Sequence, residues 1–141
     1  MTTGIADVPS SHSVAATIDR LESLARARGL TIFARIDFSG DAARAGLAMR
    51  PAQMLLFGNP RAGTPLIVAA PRSALDLPLK ALAWEDDDGH VRISYNTPAS
   101  LAARHGLSEE LVRNLSAVVA LVEAAAAPAV EQRMGYEERP E

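Results

Sequence analysis

Leu79 to Glu85 and Val91 to Tyr95 are two short apolar-rich runs separated only by Asp86-Asp87-Asp88-Gly89 and His90. Asp and Gly tolerate the positive φ of a tight hairpin, so the runs read as adjacent antiparallel strands with Lys80, Leu82 and Trp84 on one face. A sheet of this kind needs a layer to cover it. Residues Ser13 to Arg28 supply one, because Val14, Ile18, Leu21 and Ala25 recur every three to four positions ahead of Gly29. That spacing predicts an amphipathic helix lying on the sheet.

Further elements follow from the same two periods. Thr31 to Phe38 alternates, predicting a strand with Ile32, Ala34, Ile36 and Phe38 on one face and Phe33, Arg35 and Asp37 on the other. Asp41 is expected to cap a short helix through Ala45, before Gly46 and Pro51 break the chain. Met54-Leu55-Leu56-Phe57 is too short for a helix and predicts a buried strand that Gly58-Asn59-Pro60 ends. Thr64-Pro65 is a helix-start signal, predicting a short buried helix from Leu66 to Ala70. Thr97-Pro98 opens another helix through Arg104, Gly106 interrupts it, and Ser108 is expected to cap a final helix through Ala127. Residues 1–127 are thus expected to form one ordered domain, and the charged stretch 128–141 a disordered tail.

Composition removes several function classes. The 141 residues contain no Cys, which excludes disulfide frameworks, thiolate metal sites and thiol nucleophiles. The start of the chain shows no basic region followed by an apolar run, and no stretch reaches membrane-span length, so a cytoplasmic protein with no membrane partner is expected. A net charge of −3, with Lys80 the sole Lys, gives no broad attraction to nucleic acid. Leu101 to Arg113 has the look of a helix-turn-helix, but its second helix opens with Glu109 and Glu110, which would face phosphates, so no nucleic-acid partner is expected. Thr64 stands where a phosphate loop after Gly58 to Gly63 needs Lys. The acid run Glu85 to Asp88 lacks the alternation and terminal Glu of a calcium loop, and His12, His90 and His105 lack ligand spacing. No metal and no cofactor are expected. Ser94 and Ser100 lack the setting of a serine nucleophile.

Taken together, Arg35-Ile36-Asp37, Phe57-Gly58-Asn59-Pro60, Gly63-Thr64-Pro65-Leu66, Leu75-Asp76-Leu77-Pro78-Leu79-Lys80, Ser94-Tyr95-Asn96 and Arg104-His105 resemble the uncharacterised bacterial family DUF302. The resemblance covers roughly Ser13 to Leu107. It implies an α+β fold of the TATA-binding-protein type, a twisted antiparallel sheet with helices packed on one face, and no established reaction. Many members carry His directly after the Asp of the Arg-Ile-Asp strand, where this chain has Phe38, so a family role that rests on that imidazole does not carry over from the resemblance.

The candidate site is a polar corner. Amides at the start of the helix after Thr64, those of Leu66 and Ile67, would be unpaired and attractive to an anion, with Asn59, Arg61, Gly63 and Thr64 forming the turn. Arg35 and Lys80 would bind charge and Tyr95 would supply a hydroxyl, making a site for a small anionic ligand. This points to a non-catalytic binding or regulatory module. Two other classes stand beside it: an enzyme acting on a small acidic metabolite, with His105 or Asp37 carrying the proton, and a structural homo-oligomer. The Ala-rich end of the last helix would suit a homodimer.

Overall fold

The computed structural model describes residues 4–129. In chain order these form β1 (Ile5–Ser10), α1 (Val14–Ala27), β2 (Thr31–Asp37), α2 (Phe38–Arg44), β3 (Ala52–Gly58), α3 (Pro60–Ala69), a 3₁₀ segment (Pro71–Asp76), β4 (Leu79–Glu85), β5 (Val91–Asn96), α4 (Pro98–His105), α5 (Glu109–Val112), a second 3₁₀ segment (Arg113–Leu115) and α6 (Ala117–Ala126). One antiparallel sheet runs in the order β1-β5-β4-β3-β2. The expected tail lies outside the described residues apart from Pro128 and Ala129.

The sheet is covered on one face. Leu55, Phe57, Ala81, Ala83 and Ile93 point to that side, where Ile18, Leu21 and Ala25 of α1 and Leu121, Val122 and Ala125 of α6 meet them, all fully buried. Each large side chain removed from water there stabilises the fold by roughly 1.5–3 kcal/mol. Ala125 and Ala126 are buried inside this packing, so the small residues admit α1 closely. Arg20 of α1 fastens the pair: its guanidinium donates to the carbonyls of Ala125 (2.9 Å), Ala124 (3.1 Å) and Ala127 (3.3 Å) at the negative end of α6.

On the opposite face Lys80, Leu82 and Trp84 are half-buried, as the strand period requires. Trp84 Nε1 donates to Ser94 Oγ at 2.7 Å, and the Ser94 hydroxyl donates to the Asp7 carboxylate, linking β4, β5 and β1. The Arg92 guanidinium lies 5.9 Å from the Trp84 ring centroid.

Local chemistry departs from the sequence expectations in five places. β1 is an edge strand whose Pro9 tolerates the missing donor only at an edge, and the alternation of Ile5 to Ser10 is too polar to announce it. β2 slips register between Ile32 and Ala34, so Ile32 pairs with buried Phe57 whereas Ala34 and Ile36 pair with Leu56 and Met54 on the open face. α2 starts before Asp41: Asp37 Oδ1 accepts from Gly40 N at 2.9 Å and from Ser39 Oγ at 2.9 Å. α3 starts at Pro60 under Asn59, whose side chain accepts from Arg61 N at 3.0 Å, leaving Pro65 inside the helix and only Leu66 buried. The final helix is broken at Arg113–Leu115, where Ser116 Oγ bonds back to the Arg113 carbonyl at 2.7 Å and competes with the helical ladder.

Candidate functional site

Asn59 turns the chain out of β3 into α3, and the 3₁₀ segment then returns it to β4, leaving a space between them at this end of the sheet. The space is an open cleft of about 390 Å³. Pro60, Gly63 and Ile67 of α3 form one wall, and Ala74, Leu77 and Pro78 the other. Phe33 of β2, half exposed, and the buried Leu66 and Leu115 complete the lining. Polar atoms enter from Asn59, Thr64 and Asn114, and no ionisable side chain is among the lining residues. Asn114 Nδ2 donates to the Ala62 carbonyl at 3.0 Å, tying the second 3₁₀ segment to α3. The mostly apolar lining with a few polar groups is the pattern of a small-molecule site.

The sequence-predicted residues are partly gathered here and partly dispersed. Asn59, Gly63 and Thr64 line the cleft, whereas Arg61, exposed on the same helix, is not among the lining residues. The helix-start amides do not supply free donors, because Arg61 N is held by the Asn59 side chain, while Ala62 N and Gly63 N donate to the Asn59 carbonyl, each at 2.9 Å. Leu66 and Ile67 lie well inside the helix, not at its first turn. Arg35 is on the helix-covered side, where its Nη1 meets Asp19 (2.7 Å) and Glu22 (3.5 Å) and its Nε donates to Gln53 (3.2 Å). Lys80 projects from the open face and donates to the Pro78 carbonyl at 3.1 Å; partial burial holds its ammonium below the usual Lys range, with Asp76 opposing the shift. Tyr95 points the other way, under the helices, where burial and then Glu123 hold its phenol above the usual range. Lys80 and Tyr95 therefore belong to opposite faces.

The two candidate proton carriers are also apart from the cleft. Asp37 caps α2, and its carboxyl is held below the usual range first by the Gly40 amide and next by the Ser39 hydroxyl. His105 closes α4, with its Nε2 2.6 Å from Asp76 Oδ2, and Arg104 approaches the same oxygen at 3.5 Å. This pair joins α4 to the 3₁₀ segment behind the cleft wall. Beside it Ser73 is buried, and its Oγ has no hydrogen-bond partner among the described residues. Sequence reasoning missed Asp76 as the partner of His105, and missed Phe33, Ile67, Leu77 and Asn114 in the cleft. Apolar residues default to the core in a sequence reading, so no signal set Ile67 or Phe33 apart.

The family described as "Domain of unknown function DUF302" matches residues 6–124. The chain belongs to this family. A solved DUF302 protein from Bacillus stearothermophilus shares the fold with a TM-score of 0.72 over 89% of this chain and 97% of that one, at 18% identity. Two curated relatives, "Fluoride-specific ion channel FluC 1" of Brucella suis biovar 1 and "Fluoride-specific ion channel FluC 2" of Brucella melitensis biotype 1, are 45% identical over 104 residues, 74% of this chain. The chain spans only 41% and 38% of their respective lengths. These names correct the expectation that no membrane is involved, since relatives of this DUF302 domain are named as ion channels, which are membrane proteins. Among the described residues no helix is long and apolar enough to cross a membrane.

Proposed function

We propose that this DUF302 protein is a non-catalytic regulatory module that binds a small amphiphilic anion in the α3 cleft and acts on a membrane-embedded partner. The observation that carries the binding reading is the cleft itself, with apolar walls and polar atoms at Asn59, Thr64 and Asn114; exposed Arg61 belongs to the same helix but not to the lining. An apolar ligand body suits those walls, and the anionic end suits Arg61. Catalysis has less support, because the lining holds no acid or base, and Asp37 and His105 are engaged elsewhere as a helix cap and a link to Asp76. The membrane-embedded partner is inferred from the ion-channel names of the Brucella relatives, whose lengths extend well beyond the part matched here.

Decanoate is a suitable probe. A Cβ built on Gly63 meets only Leu77 Cδ1, at 3.9 Å, so Gly63→Leu directs a side chain into the cleft without striking backbone. The wild-type melting temperature is expected to rise with decanoate, and that of Gly63→Leu to be unresponsive while its circular dichroism matches wild type. An equal rise in both proteins would rule out the cleft as the site.

A further inference from the structure

The surface around the cleft has its hydrophobic pattern reversed. In the 3₁₀ segment Ser73 is 3% exposed while Leu75, two residues on, is 80% exposed. On α3, Val68 is 77% and Ile67 37% exposed, and Phe33 across the cleft is 51% exposed. Phe33 and Ile67 line the cleft, and Val68 and Leu75 stand outside the lining on α3 and the 3₁₀ segment that form its walls; exposed large apolar side chains concentrated on adjoining elements mark a surface that something covers. Along the α3 and 3₁₀ stretch the charge is one-sided. From Gly58 to Leu75 the sequence has Arg61 and Arg72, both exposed, and no acid, although the whole chain carries −3. The next acid, Asp76, is engaged by His105 and Arg104. Another exposed apolar pair, Leu47 and Met49, lies in the α2–β3 loop, at the opposite end of β3, and lines none of the cleft.

Building on the reading of the cleft as a binding site, we propose that α3 and the following 3₁₀ segment form a docking surface for an anionic lipid bilayer. Val68, Leu75, Ile67 and Phe33 enter the headgroup–acyl boundary, and Arg61 and Arg72 meet the lipid phosphates. Apolar burial combined with attraction of basic side chains to anionic headgroups is how a surface without a spanning helix holds a membrane. The cleft mouth then faces the layer from which an amphiphile with an anionic head would be drawn. The nearest acids along the chain to the Asn114 side are Glu109 and Glu110 on α5, so the attraction belongs to the α3 side. Relatives named as ion channels reside in that same environment.

Co-sedimentation of the full chain with vesicles tests this. Wild type is expected to bind phosphatidylcholine vesicles containing phosphatidylglycerol at low salt, to bind pure phosphatidylcholine much less, and to be released as salt rises. Arg61→Gln with Arg72→Gln should weaken binding about tenfold or more, from the loss of two basic contacts. Val68→Ser with Leu75→Ser changes only exposed side chains, so it should lose vesicle binding with an unchanged fold. Equal partition of wild type and this double variant would overturn the proposal. So would an absence of binding to anionic, protein-free vesicles, which would assign the patch to a protein partner instead. Gly63→Leu separates the two readings: it should keep vesicle binding while losing the decanoate response. A decanoate response that survives Val68→Ser with Leu75→Ser, in a protein that never binds vesicles, would remove the membrane surface and leave the cleft standing.

Discussion

Two glycines set opposite conditions on their own substitution. Gly40 lies in the first turn of α2, where a Cβ would stand 2.5 Å from Asp37 Oδ2, so Gly40→Ala must push the capping carboxylate aside. Gly63 lies inside α3 with ordinary helical backbone and open space around its Cβ, so Gly63→Ala should stabilise the protein by roughly 0.5–1 kcal/mol through lower backbone entropy in the unfolded chain. Urea unfolding is expected to give a lower midpoint for the first and a higher one for the second. The same cap predicts a pH dependence. The folded-state affinity of Asp37 for a proton is lowered by the Gly40 amide and the Ser39 hydroxyl, so its stabilising effect is complete above the ordinary Asp value of about 3.9 and is lost as pH falls through its lower folded value. Asp37→Asn keeps a capping oxygen but cannot titrate there. Its urea midpoint should therefore fall less steeply than wild type on acidification below that value; parallel curves would show that the cap does not bind as described. The residue types of this cap were legible in Arg-Ile-Asp-Phe-Ser-Gly, but the competing signal of Asp41 made the wrong carboxylate the expected one.

At the scale of elements, strong periodicity and turn chemistry were readable, and competition between neighbouring signals was not. The amphipathic spacing of Val14, Ile18, Leu21 and Ala25 appears as α1, and the Asp-rich turn appears as the β4–β5 hairpin. α3 was displaced because two cap-and-Pro pairs, Asn59-Pro60 and Thr64-Pro65, lie five residues apart; the earlier pair starts the helix and the later is absorbed into it. The split before α6 carries a local bond from Ser116 back to Arg113 and also a contact of Asn114 with Ala62, far apart in sequence, that no local pattern encodes. The clamp of Arg20 on the end of α6 is equally hidden, since the sequence shows only a helical Arg. It makes a clear prediction: Arg20→Ala should lower stability by about 1–3 kcal/mol, because it removes charged hydrogen bonds from three carbonyls and packing by the Arg stem. Chemical denaturation measures this, and a change within error of zero would mean that solvent replaces the clamp.

For the molecule as a whole, the motifs identified the family and its α+β architecture, because turn residues, buried strands and helix caps recur in a fixed order along the chain. The site was less legible. Asn59, Gly63 and Thr64 all line the cleft, though Gly63 and Thr64 stand inside α3 and not in the expected turn, whereas Lys80 and Tyr95 project from opposite faces of the sheet and Arg35 is taken by two acids of α1. Residues adjacent in a motif need not share a face, and alternation along β4 and β5 decides which do. The apolar character of the cleft could not be read either, since exposure of Phe33 and Ile67 follows from how α3 and the 3₁₀ segment sit against the sheet end. What remains is a helix-backed sheet with a mostly apolar cleft at the α3 end, in a family with relatives named as ion channels. An amide NMR titration of the full chain with decanoate tests the ligand-binding claim most directly. Shifts centred on Gly58 to Ile67, Ala74 to Leu79 and Asn114 are predicted; shifts centred on Asp76 and His105 without the α3 amides, or none at saturating decanoate, would contradict it.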